Sequence, residues 1–329
     1  MKTLRLMALA AIGVFVVAIA AATAQDKFPV KPIKIVVPYA PGGATDIVTR
    51  IVGEQMRQIL GQPVVVENKP GAFGIVAIHD MMNARHDGYT LMTGNVSTNA
   101  ITPVIVPERL KINYSRDVVA VTNLIDIPAY LVVSTTSLNQ VKSVEELIAY
   151  AKKNPGKVRY GTVGAGSYPH YDMAFFAKRA GDLNMVAIHN KAGASGIIND
   201  MVTGDVQVAF LNTGSTMAQI KAGKLRPIAV VNHSRIAPDV PTMKEVGFPD
   251  VGTIAWNGMF APAAVPRPVL ETLHKAALAA LNSQESKERL GKLNFNISPS
   301  KSLDDAKAWL DKEIEAWKVI HKAVKIETE

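Results

Sequence analysis

The sequence predicts an α/β protein of two domains, each built on a mainly parallel sheet flanked by helices. Three observations carry this. Short Val- and Ile-rich runs alternate with longer segments whose apolar residues recur every three to four positions, the alternation that produces βαβ units. Several runs hand over to the helical segment through a turn of Gly, Ser and Thr. The chain has 329 residues, more than one ordinary core accommodates.

The elements follow in order. Residues 33–40 read as a strand, and Pro41-Gly42-Gly43-Ala44 leads from it into a helix over 45–60, where Ile47, Val48, Ile51, Val52, Met56, Ile59 and Leu60 form one face. Gly61 is the C-terminal stop. Residues 64–66 are a second strand, 71–84 a second helix and 89–93 a third strand after Asp87-Gly88, followed by a polar loop over 95–99. Two apolar runs, 118–121 and 130–133, flank Asp126-Ile127-Pro128 and suggest a strand that crosses to a second sheet. Ser143 with Glu146 is a capping box for a helix ending at Lys153, before Pro155-Gly156. Strands are expected over 158–163, 184–189, 206–211 and 225–231, with helices opened by Gly164-Ala165-Gly166-Ser167 and by the stretch Lys191 to Gly196, and with Asn212-Thr213-Gly214-Ser215 after the third of them. A strand over 253–260, a helix over 269–281 and a terminal helix over 303–324 complete the chain. The last carries Trp309, Ile314, Trp317 and Ile320 as a packing stripe.

The first residues belong to a separate signal. Lys2 and Arg5 precede an apolar stretch over 6–22, and Ala22-Thr23-Ala24 is a small-residue cleavage signature. Residues 1–24 are expected to be a secretory signal peptide cut after Ala24, which places the mature chain in the periplasm; a retained membrane anchor is the alternative. No cysteine follows the apolar run, so a lipoprotein anchor is excluded. The absence of cysteine anywhere also excludes disulfides, thiolate metal sites and cysteine nucleophiles. After cleavage 34 basic residues face 28 acidic ones. There is no dense Lys/Arg run with interleaved aromatics, so a nucleic-acid partner is not expected.

The chemistry sits in the turns. A glycine turn that opens a helix leaves the first backbone N–H groups without intrahelical partners, and the helix dipole adds to their pull on an anion. The turn over Gly42 and Gly43 fits that reading, and it also fits a bare tight turn with Asp46 as a first-turn dipole partner. The glycines are not nucleotide fingerprints: no Gly-Lys-Ser/Thr ending follows, and Gly161, Gly164 and Gly166 have the wrong order for a dinucleotide loop. The seven histidines are scattered without metal-ligand spacing, so neither metal nor cofactor is expected. Ser167 and His170, three residues apart, fit a catalytic pair, a helix start with Ser167 as N-cap and Pro169 in the first turn, or two walls of a ligand site. No nucleophile elbow accompanies them. Two α/β halves with donor-bearing rims form a cleft for a small anion, in a molecule whose domains close on the ligand.

The segments Pro38-Tyr39-Ala40-Pro41-Gly42-Gly43-Ala44-Thr45-Asp46, Val64-Val65-Val66-Glu67-Asn68-Lys69-Pro70-Gly71-Ala72, Asp87-Gly88-Tyr89-Thr90-Leu91 and Glu146-Leu147-Ile148-Ala149-Tyr150-Ala151-Lys152-Lys153-Asn154-Pro155-Gly156 together resemble the substrate-binding proteins of tripartite tricarboxylate transporters, the TctC-like or Bug family. The resemblance covers nearly the whole mature chain. It implies a two-domain periplasmic-binding-protein (Venus flytrap) fold, with domain I discontinuous over 25–127 plus 252–329 and domain II over 128–251. It implies a monomer that captures a mono- or dicarboxylate through backbone N–H groups and bridging waters and delivers it to membrane permease subunits. Carried over by position, the first-domain site is Tyr39, Ala40, Pro41, Gly42, Gly43 and Asp46 with Ser97 and Thr98. The second-domain site is Gly166, Ser167 and His170 with Ala192, Gly193 and Asn212.

The sequence departs from the family at three places. The stretch His189 to Gly196 carries no proline where the family usually has tyrosine-lysine-glycine and then a proline at the third helix start, Tyr168-Pro169 stands where small or polar residues are common, and Asn99 and Thr102 stand where His and Asn are frequent. No catalytic activity is expected. The two other functions compatible with the same residues are a ligand sensor for a signalling partner and an exported hydrolase using Ser167 and His170.

Overall fold

The computed structural model describes residues 28–190, 192–232, 238–324 and 326. Residues 1–24, expected as a signal peptide, and Lys191, the cation of the third glycine turn, lie outside the described residues.

The first sheet begins with β1 (Ile33–Val37), whose residues are almost all buried. α1 (Ala44–Leu60) follows and buries Val48, Ile51, Val52 and Met56. Its end is set by Gly61, left-handed at φ 65°, whose N–H returns to the Arg57 carbonyl at 3.0 Å. β2 (Val64–Asn68), a 3₁₀ turn (Ala72–Gly74), α2 (Ile75–Met82) and β3 (Thr90–Asn95) come next. The stretch expected as a polar loop after β3 is helical: Ser97–Ile101 is a π turn that runs on into Thr102–Ile105. Asn95 is the reason, because its Oδ1 accepts the N–H groups of Ser97 and Thr98 at 3.0 and 3.3 Å and so starts the turn.

β4 (Val118–Ile127) belongs to the first sheet and β5 (Ala129–Ser134) to the second, so a single residue, Pro128, separates the two. The second sheet continues with α3 (Val144–Lys153), β6 (Val158–Thr162), α4 (Tyr168–Arg179), β7 (Met185–His189), α5 (Ala194–Thr203), β8 (Val208–Asn212), α6 (Thr213–Lys221) and β9 (Leu225–Val230). The chain then returns to the first sheet as β10 (Ala255–Pro262), and α7 (Arg267–Asn282), α8 (Gln284–Lys292), β11 (Asn296–Ile297) and α9 (Leu303–Ala323) close the fold. α8 and β11 have no counterpart in the sequence-based expectation. α8 is strongly polar and buries only Ser286 and Leu290, and β11 is two residues long.

The strand orders are β11-β4-β10-β3-β1-β2 and β7-β6-β8-β5-β9. Both sheets are mixed. β1, β2 and β3 run parallel, and β10 lies antiparallel between β3 and β4. β6, β7 and β8 run parallel, and β5 lies antiparallel between β8 and β9. The strands that oppose the majority direction include β5 and β10, the two that arrive from the other sheet.

One apolar cluster, with Ile35, Val52, Leu91, Met259, Phe260 and Trp317, fills the first sheet's surroundings. Two further clusters flank the second sheet, one around Leu131, Phe176 and Phe210 and one around Tyr130, Ile197 and Leu211. Tyr168 and Tyr171 of α4 pack into the first cluster, so α4 joins the two halves. A fully buried aliphatic side chain of this kind contributes about 1.5–3 kcal/mol.

Candidate functional site

The turn after β1 is held from below by a charged network. Asp46 is 3% exposed, and its carboxylate accepts the Gly42 N–H at 2.9 Å, the Asn68 amide at 2.9 Å and the Arg50 guanidinium at 2.9 Å. Asn68 also donates to the Tyr39 carbonyl at 2.9 Å, and Arg50 to Asn68 Oδ1 at 2.9 Å. Burial works against the Asp46 charge, but the hydrogen bonds from Arg50, Gly42 and Asn68 outweigh it and hold the carboxyl below the usual range. Asp46 thus fastens the turn. Gly42, at φ 90°, spends its own N–H on that carboxylate.

The donors left over are those of the helix. Gly43 is the N-cap of α1, and among the described residues no side chain caps this end, so the first-turn N–H groups are unpaired. Ala40, Pro41, Gly42 and Gly43 are exposed, and a Cβ added at Gly42 or Gly43 would meet nothing within 4 Å. The turn therefore fronts open space.

Beside it, the Tyr39 hydroxyl donates to Asn95 Oδ1 at 2.6 Å and lies 2.6 Å from Thr98 Oγ1. Burial pushes the Tyr39 phenol up to about 12, so it stays protonated at neutral pH. Tyr39, Ser97 and Thr98 thereby form one connected rim at the carboxyl ends of β1 and β3, where α/β sheets place their ligands.

The second rim is built alike. Ser167 is the N-cap of α4, yet its hydroxyl donates to the Gly164 carbonyl at 2.7 Å and caps nothing. The Gly166 N–H donates to His170 Nδ1 at 3.3 Å. Burial, with a smaller contribution from neighbouring His189, pulls the His170 imidazole down to about 4, so the ring is neutral and Nδ1 is free to accept. The ring of His189 stands 4.9 Å from it, edge to face. The side chains of Ser167 and His170 each bond to backbone and not to one another.

The rims touch. The Tyr168 N–H donates to Ser97 Oγ at 3.3 Å, so a first-rim hydroxyl fills one of the donor positions at the start of α4. Further bonds across the halves include Asn294 Nδ2 to Thr213 Oγ1 at 2.9 Å, Lys178 Nζ to the Ala323 carbonyl at 2.8 Å and the Thr253 hydroxyl to Asp172 at 2.6 Å.

Ala192, Gly193 and Asn212 sit on the same edge of the second sheet, since β6, β7 and β8 run parallel, but they form no bond with this group. Gly193, at φ 72°, precedes α5, which also has no side-chain cap among the described residues, and it faces open space. The Ala192 N–H is taken by Asn190 Oδ1 at 2.9 Å. Asn212 differs from the other helix starts: its side chain accepts the Ser215 N–H at 2.8 Å and caps α6.

Sequence reasoning passed over Asn68 and Arg50, and took Asn95 only as part of a polar loop. The signal was present, since Asn68, Asn95 and Asn212 each end a strand. An asparagine at a strand end bonds readily to the backbone that follows. A cavity of about 310 Å³ lined by Asp126, Trp256, Trp309 and Glu313 among others shares no lining residue with this rim.

Two mixed sheets that exchange strands, with uncapped helix starts where they meet, form the periplasmic-binding-protein fold. The chain belongs to the tripartite tricarboxylate transporter receptor family, which residues 48–326 match. Protein BugT of Bordetella pertussis is 30% identical over 317 residues, 94% of each chain. MatC from Rhodopseudomonas palustris, solved with bound malate, is 26% identical, superposes with a TM-score of 0.78 and covers 89% of this chain and 99% of its own. A second R. palustris protein, solved with adipate, is also 26% identical, with a TM-score of 0.81 and coverage of 91% and 99%.

Proposed function

We propose that this chain is a periplasmic receptor that captures a small organic acid between its two sheets and delivers it to membrane permease subunits. The observation that carries the reading is the start of α1. Its first-turn N–H groups are unpaired, the glycine before them fronts open space, and the turn contains no Lys or Arg. A backbone anion site of this kind holds a carboxylate by hydrogen bonds and helix dipole alone. Malate and adipate in the two related structures agree with a carboxylate ligand.

In this reading domain I comprises 25–127 plus 252–329 and domain II 128–251. Tyr39, Ala40, Pro41, Gly42, Gly43, Ser97 and Thr98 line one wall, with Asp46 positioning it. Gly166, Ser167, His170, Ala192, Gly193 and Asn212 line the other. The ligand first meets domain I, and closure brings Tyr168 onto Ser97. No catalytic step is assigned to Ser167 and His170. Removal of residues 1–24 on export releases the receptor into the periplasm, where it acts as a monomer.

The test is a thermal-unfolding screen over aliphatic and aromatic mono- and dicarboxylates. A ligand at 100 times its dissociation constant stabilises by about 2.7 kcal/mol, a readily measured upward shift. A screen in which no organic acid raises the unfolding temperature overturns the proposal.

A further inference from the structure

We infer that Asn257 is a specificity-determining residue of this cleft, reading a hydrogen-bond donor substituent carried beside the ligand's carboxylate, as in a 2-hydroxy acid. The inference rests on the receptor reading above and refines its ligand class.

Its placement follows from strand register. Asn257 pairs with Asn95 across β10 and β3, and with Ile125 on the other side. Paired residues share a face, so the Asn257 side chain lies on the face that carries Asn95, Thr93 and Leu91. Leu91 pairs with Ile35 of β1, and Ile33 and Ile35 pair with Val64 and Val66 of β2. α1 covers that face, because a Cβ added at its Gly53 would lie 3.3 Å from Val64 Cγ1 and 3.8 Å from Val66 Cγ2. α1 starts at the edge where β1 and β3 end. Asn257 therefore lies on the α1 side of the sheet, beside Asn95 at the end of β3, one strand over from β1.

Asn257 is 2% exposed, and its Oδ1 has no hydrogen-bond partner among the described residues. A buried amide oxygen left without a hydrogen bond destabilises the fold, so it calls for a partner. None of its neighbours pairs with it: Thr93 Oγ1, on the same face, is itself buried without a partner among the described residues, and the rim groups are engaged elsewhere. Asn95 Oδ1 is an acceptor already serving the Tyr39 hydroxyl and the N–H groups of Ser97 and Thr98. Thr98 Oγ1 is engaged with Tyr39, and the Thr102 hydroxyl donates to the carbonyls of Phe73 and Ser97. A carboxylate held by the α1 N–H groups brings its adjacent carbon over Asn257. A hydroxyl there donates to Oδ1, while the amide's own N–H₂ faces the carboxylate oxygens. An unsubstituted acid leaves Oδ1 unpaired.

The test titrates two matched pairs, malate with succinate and 2-hydroxyadipate with adipate, against the wild-type protein, Asn257→Leu and Asn257→Ser. In wild type the hydroxylated member binds more tightly, by about tenfold, in at least one pair. In both variants that ratio falls to within about twofold. The unliganded Asn257→Leu protein melts no lower than wild type, since an apolar side chain of similar size removes an unsatisfied group. Equal affinity within the pairs, a preference that survives both variants, or a large fall in the melting temperature of unliganded Asn257→Leu overturns the inference, the last by showing a structural role. A protein that binds other acids in the screen but neither hydroxylated probe also overturns it and leaves the receptor reading standing. A protein that binds no acid overturns both.

Discussion

Replacing Gly43 with valine tests the backbone anion site directly. Gly43 has φ −79° and ψ 167°, extended backbone that a β-branched residue adopts without strain. The left-handed position of this turn is Gly42, at φ 90°. A Cβ at Gly43 meets nothing within 4 Å. The folded protein should therefore keep its stability to within about 0.5 kcal/mol, as for a surface substitution. The two added methyl groups, however, stand in front of the first-turn N–H groups of α1. A hydrogen bond to a charged group contributes about 1.5–3 kcal/mol, so each one blocked weakens binding by about tenfold to 150-fold. Calorimetric titration with the acid found by the thermal screen, alongside an unfolding curve, reads both quantities. Wild-type affinity in a normally folded Gly43→Val protein would refute the assignment of this turn as the carboxylate site.

Three further outcomes are expected. Asp46→Asn should lower stability at neutral pH by about 1.5–3 kcal/mol, since it weakens hydrogen bonds made to a charge. Because the folded pKa of Asp46 is depressed, its contribution is present above the unfolded value near 4 and is lost as pH falls through the folded one, so melting curves of variant and wild type should converge in acid. Asp172 runs the other way: burial raises its carboxyl to about 7, against the hydrogen bonds donated by the Thr253 N–H at 3.0 Å and hydroxyl at 2.6 Å. Its stabilising contribution is present below about pH 4 and lost as pH rises through about 7, so Asp172→Asn should gain on wild type between pH 5 and pH 8 in unfolding experiments. On export the mature chain should begin at Gln25, and N-terminal sequencing of periplasmic protein that still finds Met1 would contradict this.

Much of the fold is local information. β1, α1 and the Gly61 stop follow from apolar spacing and one left-handed residue, and α4 lies over residues 168–179 as its pattern indicated. The capping box at Ser143 is equally local, with the Ser143 hydroxyl accepting the Glu146 N–H. Elements that draw their stability from neighbours were not legible. The helical turn at Ser97 depends on Asn95, α8 is strongly polar and buries only Ser286 and Leu290, and β11 exists only because β4 offers it an edge.

The site divides in the same way. The sequence by itself determined that glycine-opened helix starts would gather at strand ends, because that follows from turn chemistry and strand direction. Only the tertiary structure decided which donors remain free. Asp46 takes the Gly42 N–H, Asn190 takes that of Ala192 and Asn212 caps α6, whereas the starts of α1 and α5 are left uncapped. The placement of Asn257 beside Asn95 is likewise a tertiary fact. The pairing of β10 with β3 joins residues far apart in the chain, and no local spacing encodes which side chain a returning strand sets against an earlier one.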